Sequence, residues 1–217
     1  MTEARYPTGI DDYTRVGRCR RCFFPPGLCV CDELQAVHVP FHVAVIRHRT
    51  EIALVSNTGR FVPRLLSDAS LHELGLRDAR FDGSWLQDPR RNTLVLFPQA
   101  GAEPLQPSMM DDLETATSRP LTLVLLDGTW SKARRMLRRV PELQTARRVA
   151  LPLPRPQGLS PRKAPDPMAH CTLEAAAAAV TALGFTDAGA HLWENARRLI
   201  ERIRHVQGRI RRPATDS

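Results

Sequence analysis

The feature that most constrains this chain is the run at residues 121–126, Leu-Thr-Leu-Val-Leu-Leu, set between Pro120 and the pair Asp127-Gly128 and followed by a strongly basic helical pattern from near Ser131. A leucine-rich, β-branched run of six, bounded by a proline and a glycine, reads as a buried strand. The segment after it has helical spacing, so the unit is strand, turn, helix. In an open α/β sheet, ligands collect outside the carboxyl ends of the strands, where the next helix points its free N–H groups. Asp127 is expected at that lip. Gly128 lets the backbone come close to a ligand, Thr129 is a candidate helix cap, and Trp130 offers an aromatic face to a planar group. A capped turn with a core tryptophan is the plainer alternative for these four residues.

A chain of 217 residues is long enough to bury a substantial core as one domain or one domain plus a small module. Its formal charge of +8 and pI near 10.0 point to an acidic partner, whether RNA, DNA or an anionic membrane. Twenty-nine arginines stand against two lysines. Base composition alone can produce that bias, so the net charge is the firmer guide. No apolar run approaches the roughly 18–20 residues of a membrane span, and residues 1–15 lack the apolar core of a secretory signal. A cytoplasmic location, with no membrane contact, is the expectation.

Residues 1–16 are expected to be a flexible tail, and 17–36 a small metal-binding module. Within it Cys19, Cys22, Cys29 and Cys31 have the order C-x2-C-x6-C-x-C, with the turn-forming Pro25-Pro26-Gly27 between the pairs. Four thiolates in two short pairs can converge on a tetrahedral ion, most often zinc in a closed, structural site. Two disulfides are disfavoured in a cytosolic protein, and an iron–sulfur cluster is the alternative metal group. Cys171 stands apart and reads as a buried small apolar residue.

Residues 41–47 alternate as the first strand of the main domain should, with His48, Arg49 and Glu51 just past its end. Ser56-Asn57-Thr58-Gly59-Arg60 supplies cap candidates for a helix carrying Phe61, Leu65 and Leu66. Residues 71–76 are expected to continue or follow that helix, 79–85 to form a short edge strand, 93–97 a clear strand, and 109–116 a helix. The helix from Ser131 bears Lys132, Arg134, Arg135, Arg138 and Arg139, either a solvated face or a nucleic-acid contact. A last strand is expected at 148–151, then a proline-rich loop at 152–167 holding Ser160, Arg162 and Lys163. Helices are expected at 174–183, with Glu174 in a first turn where the helix dipole favours a carboxylate, and at about 188–204, ahead of an arginine-rich end.

Taken in order, the cysteine quartet, Asn57-Thr58-Gly59-Arg60, Phe97-Pro98, Asp127-Gly128-Thr129-Trp130-Ser131 and Thr172-Leu173-Glu174-Ala175 resemble the DTW-domain family. Those proteins are tRNA-uridine aminocarboxypropyltransferases with a fold related to the SPOUT class of knotted RNA-modifying enzymes. The family's histidine–proline–x–glutamate pattern is represented by His48-Arg49-Thr50-Glu51, where the proline is missing. The resemblance implies an α/β fold for residues 37–217, a mostly parallel sheet with helices on both faces and a C-terminal trefoil knot. It implies transfer of the 3-amino-3-carboxypropyl group from S-adenosylmethionine to nitrogen 3 of a tRNA uridine, releasing methylthioadenosine.

On that reading Asp127 is the catalytic residue, accepting the imide proton or holding the donor's ammonium. The loops after Phe97, Leu126 and Leu151 hold the donor, with Pro98, Thr129, Trp130, Ser131, Thr172 and Glu174 shaping its pocket and Arg162 or Lys163 pairing with its carboxylate. Arg18, Arg20, Arg21, Asn57, Thr58, Arg60, Lys132, Arg135 and Lys163 are expected to meet RNA. The partner is tRNA; no protein partner is expected, and monomer and homodimer both stay open. Two other functions stay open: a SPOUT-class methyltransferase with the same donor, and a non-catalytic, zinc-containing RNA-binding protein.

Overall fold

The computed structural model describes residues 16–110, 119–152 and 170–211, with side chains to residue 208. The apolar run beginning at Leu121 is strand β5, Leu121–Asp127, buried over nearly its whole length because both of its faces are covered. Strand β1, His42–His48, lies on one side of it, and β3, Asn92–Leu96, on the other. With β2 (Ala69–Leu74), β6 (Arg147–Ala150) and the two-residue β4 (Glu103–Pro104), they form, among the described residues, a six-stranded sheet in the order β2-β1-β5-β3-β6-β4, with every pair parallel. Parallel pairing brings all the carboxyl ends to one edge, and its register sets Arg47 of β1 beside Asp127 of β5.

The helices are α1 (Val62–Leu65), α2 (Trp130–Arg139), α3 (Pro141–Thr145), α4 (Thr172–Ala182) and α5 (Thr186–Arg211). Alternation along β5 divides them between two faces. Leu121, Leu123 and Leu125 pack with Phe61, Leu65, Leu173, Ala177 and Ile203 under α1, α4 and α5, whereas Val124 packs with Ile46, Val95, Ala133, Met136 and Leu143 under α2 and α3. The cysteine segment joins the first of these cores through Cys22, Phe23, Phe24 and Val30. The expected helix-covered parallel sheet is what forms.

Two local expectations are corrected. Residues 71–76 do not extend a helix, because 69–74 pair in parallel with β1 from Val43↔Ala69 to His48↔Leu74. Pairing along six residues of β1 outweighs a weak local helical preference. No strand lies at 79–85; Ser84–Gln87 is a single 3-10 turn that tucks Leu86 into the second core. Of the helix expected at 109–116, Met109 ends a 3-10 turn and 111–118 lie outside the described residues, as do the tail 1–15 and most of the loop at 152–167.

Candidate active site

Asp127 ends β5 on the same face as Leu121, Leu123 and Leu125, so its carboxylate turns toward α4 and the loop before α1, away from α2. It is 4% exposed. Thr172, the first residue of α4, donates its hydroxyl to Oδ1 at 2.6 Å, and the Asn57 amide donates to Oδ2. The amide's own oxygen accepts from the Arg60 backbone N–H at 3.2 Å and lies 3.5 Å from Nη1 of Arg47. Both the carboxylate and the asparagine that holds it are thereby oriented by other groups.

Burial pushes the Asp127 carboxyl above its ordinary range. The Thr172 and Asn57 donors pull the other way by stabilising the charged form; the charge of Glu51 adds to the rise and that of Arg47 opposes it. An aspartate raised in this way is a better proton acceptor than an exposed one.

The loop around Asn57 is fixed from several sides. Arg60 donates Nε to the Asn57 carbonyl at 3.0 Å and Nη2 to the Leu54 carbonyl. The Thr58 hydroxyl accepts from the backbone N–H of Leu173 at 3.4 Å, and Glu174 reaches back to the N–H of Cys171 at 2.8 Å. Two N–H groups at the start of α4 thus find partners. Gly59 is required by space: a Cβ there would stand 2.5 Å from Asp127 Oδ2.

Across the same sheet edge, Thr129 accepts from the Lys132 N–H at 3.4 Å and caps α2, as its position in sequence suggested. Lys132 extends its Nζ to Glu51, which is 1% exposed, at 2.9 Å. Burial and the nearby Lys132 hold His48 below the usual imidazole range. Trp130 is 36% exposed and meets Phe97 edge-on, with ring centroids 5.6 Å apart. It lines the mouth of the edge and is not a core tryptophan.

Several placements differ from the sequence reading. Asn57, Thr58 and Arg60 are 1%, 2% and 6% exposed and build the wall behind Asp127, so they do not present a surface to RNA. Glu174 is fully buried as a helix-cap partner, which removes it from a donor pocket. At Gly128 a Cβ would sit 3.2 Å from Lys132 Cβ and 3.4 Å from Met136 Cε, so the packing of α2 also favours glycine there. Cys171 stands at the N-cap of α4, partly buried, and packs against the first core as an apolar residue should. Arg18 spends a guanidinium N–H on the Phe23 carbonyl at 3.2 Å, while Arg20 and Arg21 are exposed. Arg162 and Lys163 lie outside the described residues. Pro98, Ser131, Leu126 and Leu151 remain near the strand ends, exposed or half-buried. Sequence reasoning missed the pair Arg47–Glu73, which joins neighbouring strands behind Asn57. A register for β2 was the signal it lacked.

The four module cysteines converge, with all Sγ atoms within 4.8 Å of one another. Cys19 and Cys31 are 3.5 Å apart and Cys22 and Cys29 3.7 Å. Metal–sulfur bonds of about 2.3 Å in a tetrahedron place sulfurs about 3.8 Å apart, so the quartet fits a closed four-thiolate site.

Among the described residues no helix is long and apolar enough to cross a membrane. Comparison with known proteins bears on the rest. Curated relatives named tRNA-uridine aminocarboxypropyltransferase 2 are 29% identical in Macaca fascicularis and 28% in Mus musculus, each over 130 residues that make up 58% of this chain and 42% of the relative. The chain thus matches about two fifths of the length of those proteins. A solved structure, the SAM-dependent rRNA:acp-transferase Tsr3 from Vulcanisaeta distributa, aligns over 79% of this chain and 82% of its own with 21% identity and a TM-score of 0.44. The family model of the DTW domain matches residues 16–206, which takes in the cysteine module, the Asn57 loop, Asp127 and the start of α4, and the chain belongs to the DTW-domain family.

Proposed function

We propose that this protein transfers the 3-amino-3-carboxypropyl group of S-adenosylmethionine to nitrogen 3 of a uridine in tRNA. The observation that carries the reading is Asp127: a buried carboxylate of raised pKa, held between Asn57 and Thr172 at the carboxyl edge of a parallel sheet, in a chain whose relatives bear the name of that activity. When bound, the donor supplies a sulfonium whose bond to the aminocarboxypropyl arm breaks as nitrogen 3 attacks, and the bonding pair leaves with the sulfur of methylthioadenosine.

The chain's residues then have distinct tasks. Asp127 takes the imide proton, aided by a pKa that burial raises above that of an ordinary aspartate. Asn57 and Thr172 keep its oxygens aimed while leaving lone pairs free. Trp130, with Phe97 behind it, offers the adenine an exposed aromatic face, and the strand-end loops at Pro98, Thr129 and Leu151 offer it backbone groups. Much of the acceleration in such a displacement comes from alignment and exclusion of water.

RNA meets the outer face of α2. Arg134, Arg135, Arg138 and Arg139 are exposed there, and among the described residues no carboxylate pairs with them. Arg197, Arg198 and Arg202 of α5 are instead committed to Glu194, Glu201 and Glu33. Unneutralised guanidinium groups beside the site are the natural contacts for phosphates. Zinc held by Cys19, Cys22, Cys29 and Cys31 supplies rigidity to the module that backs the Asn57 loop and no chemistry at Asp127. A SPOUT-type knot and a cytoplasmic location belong to the same reading.

The experiment is incubation of the purified chain with S-adenosylmethionine and tRNA lacking the modification, with chromatography of the small-molecule product. Methylthioadenosine released in proportion to tRNA supports the reading. S-adenosylhomocysteine in its place would make the protein a methyltransferase, and neither product, with no donor binding, would leave an RNA-binding protein.

A further inference from the structure

The cysteine module and the catalytic loop meet through one short helix. Arg64 of α1 straddles Cys31: Nη1 lies 3.1 Å from the Cys31 sulfur and Nη2 donates to the Cys31 carbonyl at 2.9 Å. Of the other cations near the module, Arg18 donates to the Phe23 carbonyl at 3.2 Å, and Arg20 and Arg21 are exposed. Arg202 reaches the Leu28 and Cys29 carbonyls but is paired with Glu33. Arg60 lies over the Phe23 ring, 4.0 Å from its centroid. A divalent ion in four thiolates leaves the centre with excess negative charge, and burying it beside a hydrophobic core is costly unless a cation and hydrogen bonds to sulfur offset it. Arg64 provides both.

Arg64 stands five residues after Gly59 on a continuous helical stretch, the 3-10 turn Gly59–Phe61 running directly into α1. Phe61, between them, packs against Phe24 of the module with centroids 6.2 Å apart. Three contacts therefore tie the module to the segment that aims Asn57 at Asp127: Arg64 to Cys31, Phe61 to Phe24, and Arg60 to Phe23.

We propose that Arg64 is a positioning residue of the metal centre, that it holds the Cys31 thiolate by charge and hydrogen bond, and that metal binding and ordering of the Asn57–Asp127 pair are thereby one coupled event. The proposal rests on zinc as the occupant of the cysteine quartet.

The test measures zinc affinity of the full chain by competition with a chromophoric chelator for wild type, Arg64→Met, Arg64→Lys and Arg198→Gln. Arg64→Met keeps the apolar stem and loses the charge, and its zinc affinity falls about 10–100-fold. Arg64→Lys restores part of the loss, because the charge returns without the fork. Arg198→Gln, which removes a cation paired with Glu33 and not with a cysteine, changes little. Cobalt substituted for zinc keeps the spectrum of a tetrahedral four-sulfur site in every variant, which shows that the ligands are intact. Hydrogen exchange supplies the coupling: stripping zinc from the wild type removes protection from amides 57–60, and Arg64→Met lowers it at subsaturating zinc. Equal zinc affinity in Arg64→Met and wild type would overturn the role of Arg64. Unchanged protection at 57–60 on stripping would overturn the coupling. A wild-type chain that binds neither zinc nor cobalt would overturn the zinc reading, and this inference with it.

Discussion

Gly59→Ala is the sharpest probe of the site, because two physical effects give it opposite signs. Gly59 opens a 3-10 turn that leads into α1, and alanine in a helical turn is favoured over glycine by about 1 kcal/mol. Against this, the added Cβ would lie 2.5 Å from Oδ2, 2.6 Å from Cγ and 3.1 Å from Oδ1 of Asp127. The carboxylate is buried and pinned from both sides by Asn57 and Thr172, so it cannot swing into solvent. Relief requires a displacement of roughly an ångström to reach ordinary van der Waals separation. Overpacking costs about 1–3 kcal/mol, and loosening a hydrogen bond to a buried charge about 1.5–3. After the gain in helix propensity the net loss is about 1.5–5 kcal/mol, and misplacing Asp127 by roughly an ångström lowers turnover on the order of 100-fold. Urea denaturation of wild type, Gly59→Ala, Asp127→Ala and the double variant measures it. Truncating Asp127 vacates the space, so Gly59→Ala is neutral or stabilising in the Asp127→Ala background, with a coupling of about 2 kcal/mol or more. A Gly59→Ala protein as stable as wild type, or an equal loss in both backgrounds, would refute the reasoning.

Other expected outcomes are briefer. Thr172→Val removes a donor that favours the charged form of Asp127, so the carboxyl rises further and the acidic limb of the activity profile moves to higher pH; a limb that moves down or stays put contradicts the assignment. The stability sign agrees: a carboxyl raised on folding weakens the fold as pH climbs from its ordinary value through its folded one, so Thr172→Val loses more at neutral pH than below the ordinary aspartate range. Lys132→Met removes the cation that faces Glu51, whose side chain is 1% exposed while that of lysine is 30% exposed, and costs about 2 kcal/mol, between the surface and fully buried cases; Glu51→Gln in the same chain recovers most of it in thermal melts. Replacing Arg135 and Arg138 with glutamine lowers the salt slope of tRNA binding by about 0.7–0.9 for each phosphate that these arginines neutralise, measured by filter binding across ionic strengths, and leaves S-adenosylmethionine affinity unchanged.

How much of this was legible beforehand depended on the range of the interaction involved. The strand at 121–126 and the cap at Thr129 announce themselves locally, by an apolar run and a hydroxyl two residues past its aspartate. The cysteine quartet was visible because metal spacing is itself a local pattern. The strand at 69–74 was not, since its identity comes from pairing with β1, a partner more than twenty residues away. The same blindness hid Arg47–Glu73, a pair that exists only in that register. Asn57, Thr58 and Arg60 have the composition of an exposed polar loop; contacts with α4 at Thr58, with Asp127 at Asn57 and with Phe23 of the module at Arg60 turn them inward. Gly59 read as part of a motif, but its physical reason, the carboxylate lying where a side chain would be, needed the fold.

The central claim is that the arm transferred to RNA is the aminocarboxypropyl group and that Asp127 serves its transfer. S-adenosylmethionine carrying one isotope in its methyl group and another in its carboxyl carbon separates the possibilities in one reaction with tRNA, followed by nucleoside mass spectrometry. The expected result is the carboxyl label in a uridine modified at nitrogen 3, the methyl label only in the small-molecule product, and loss of both signals in a folded Asp127→Ala protein. The methyl label in RNA, or full transfer by Asp127→Ala, would contradict it.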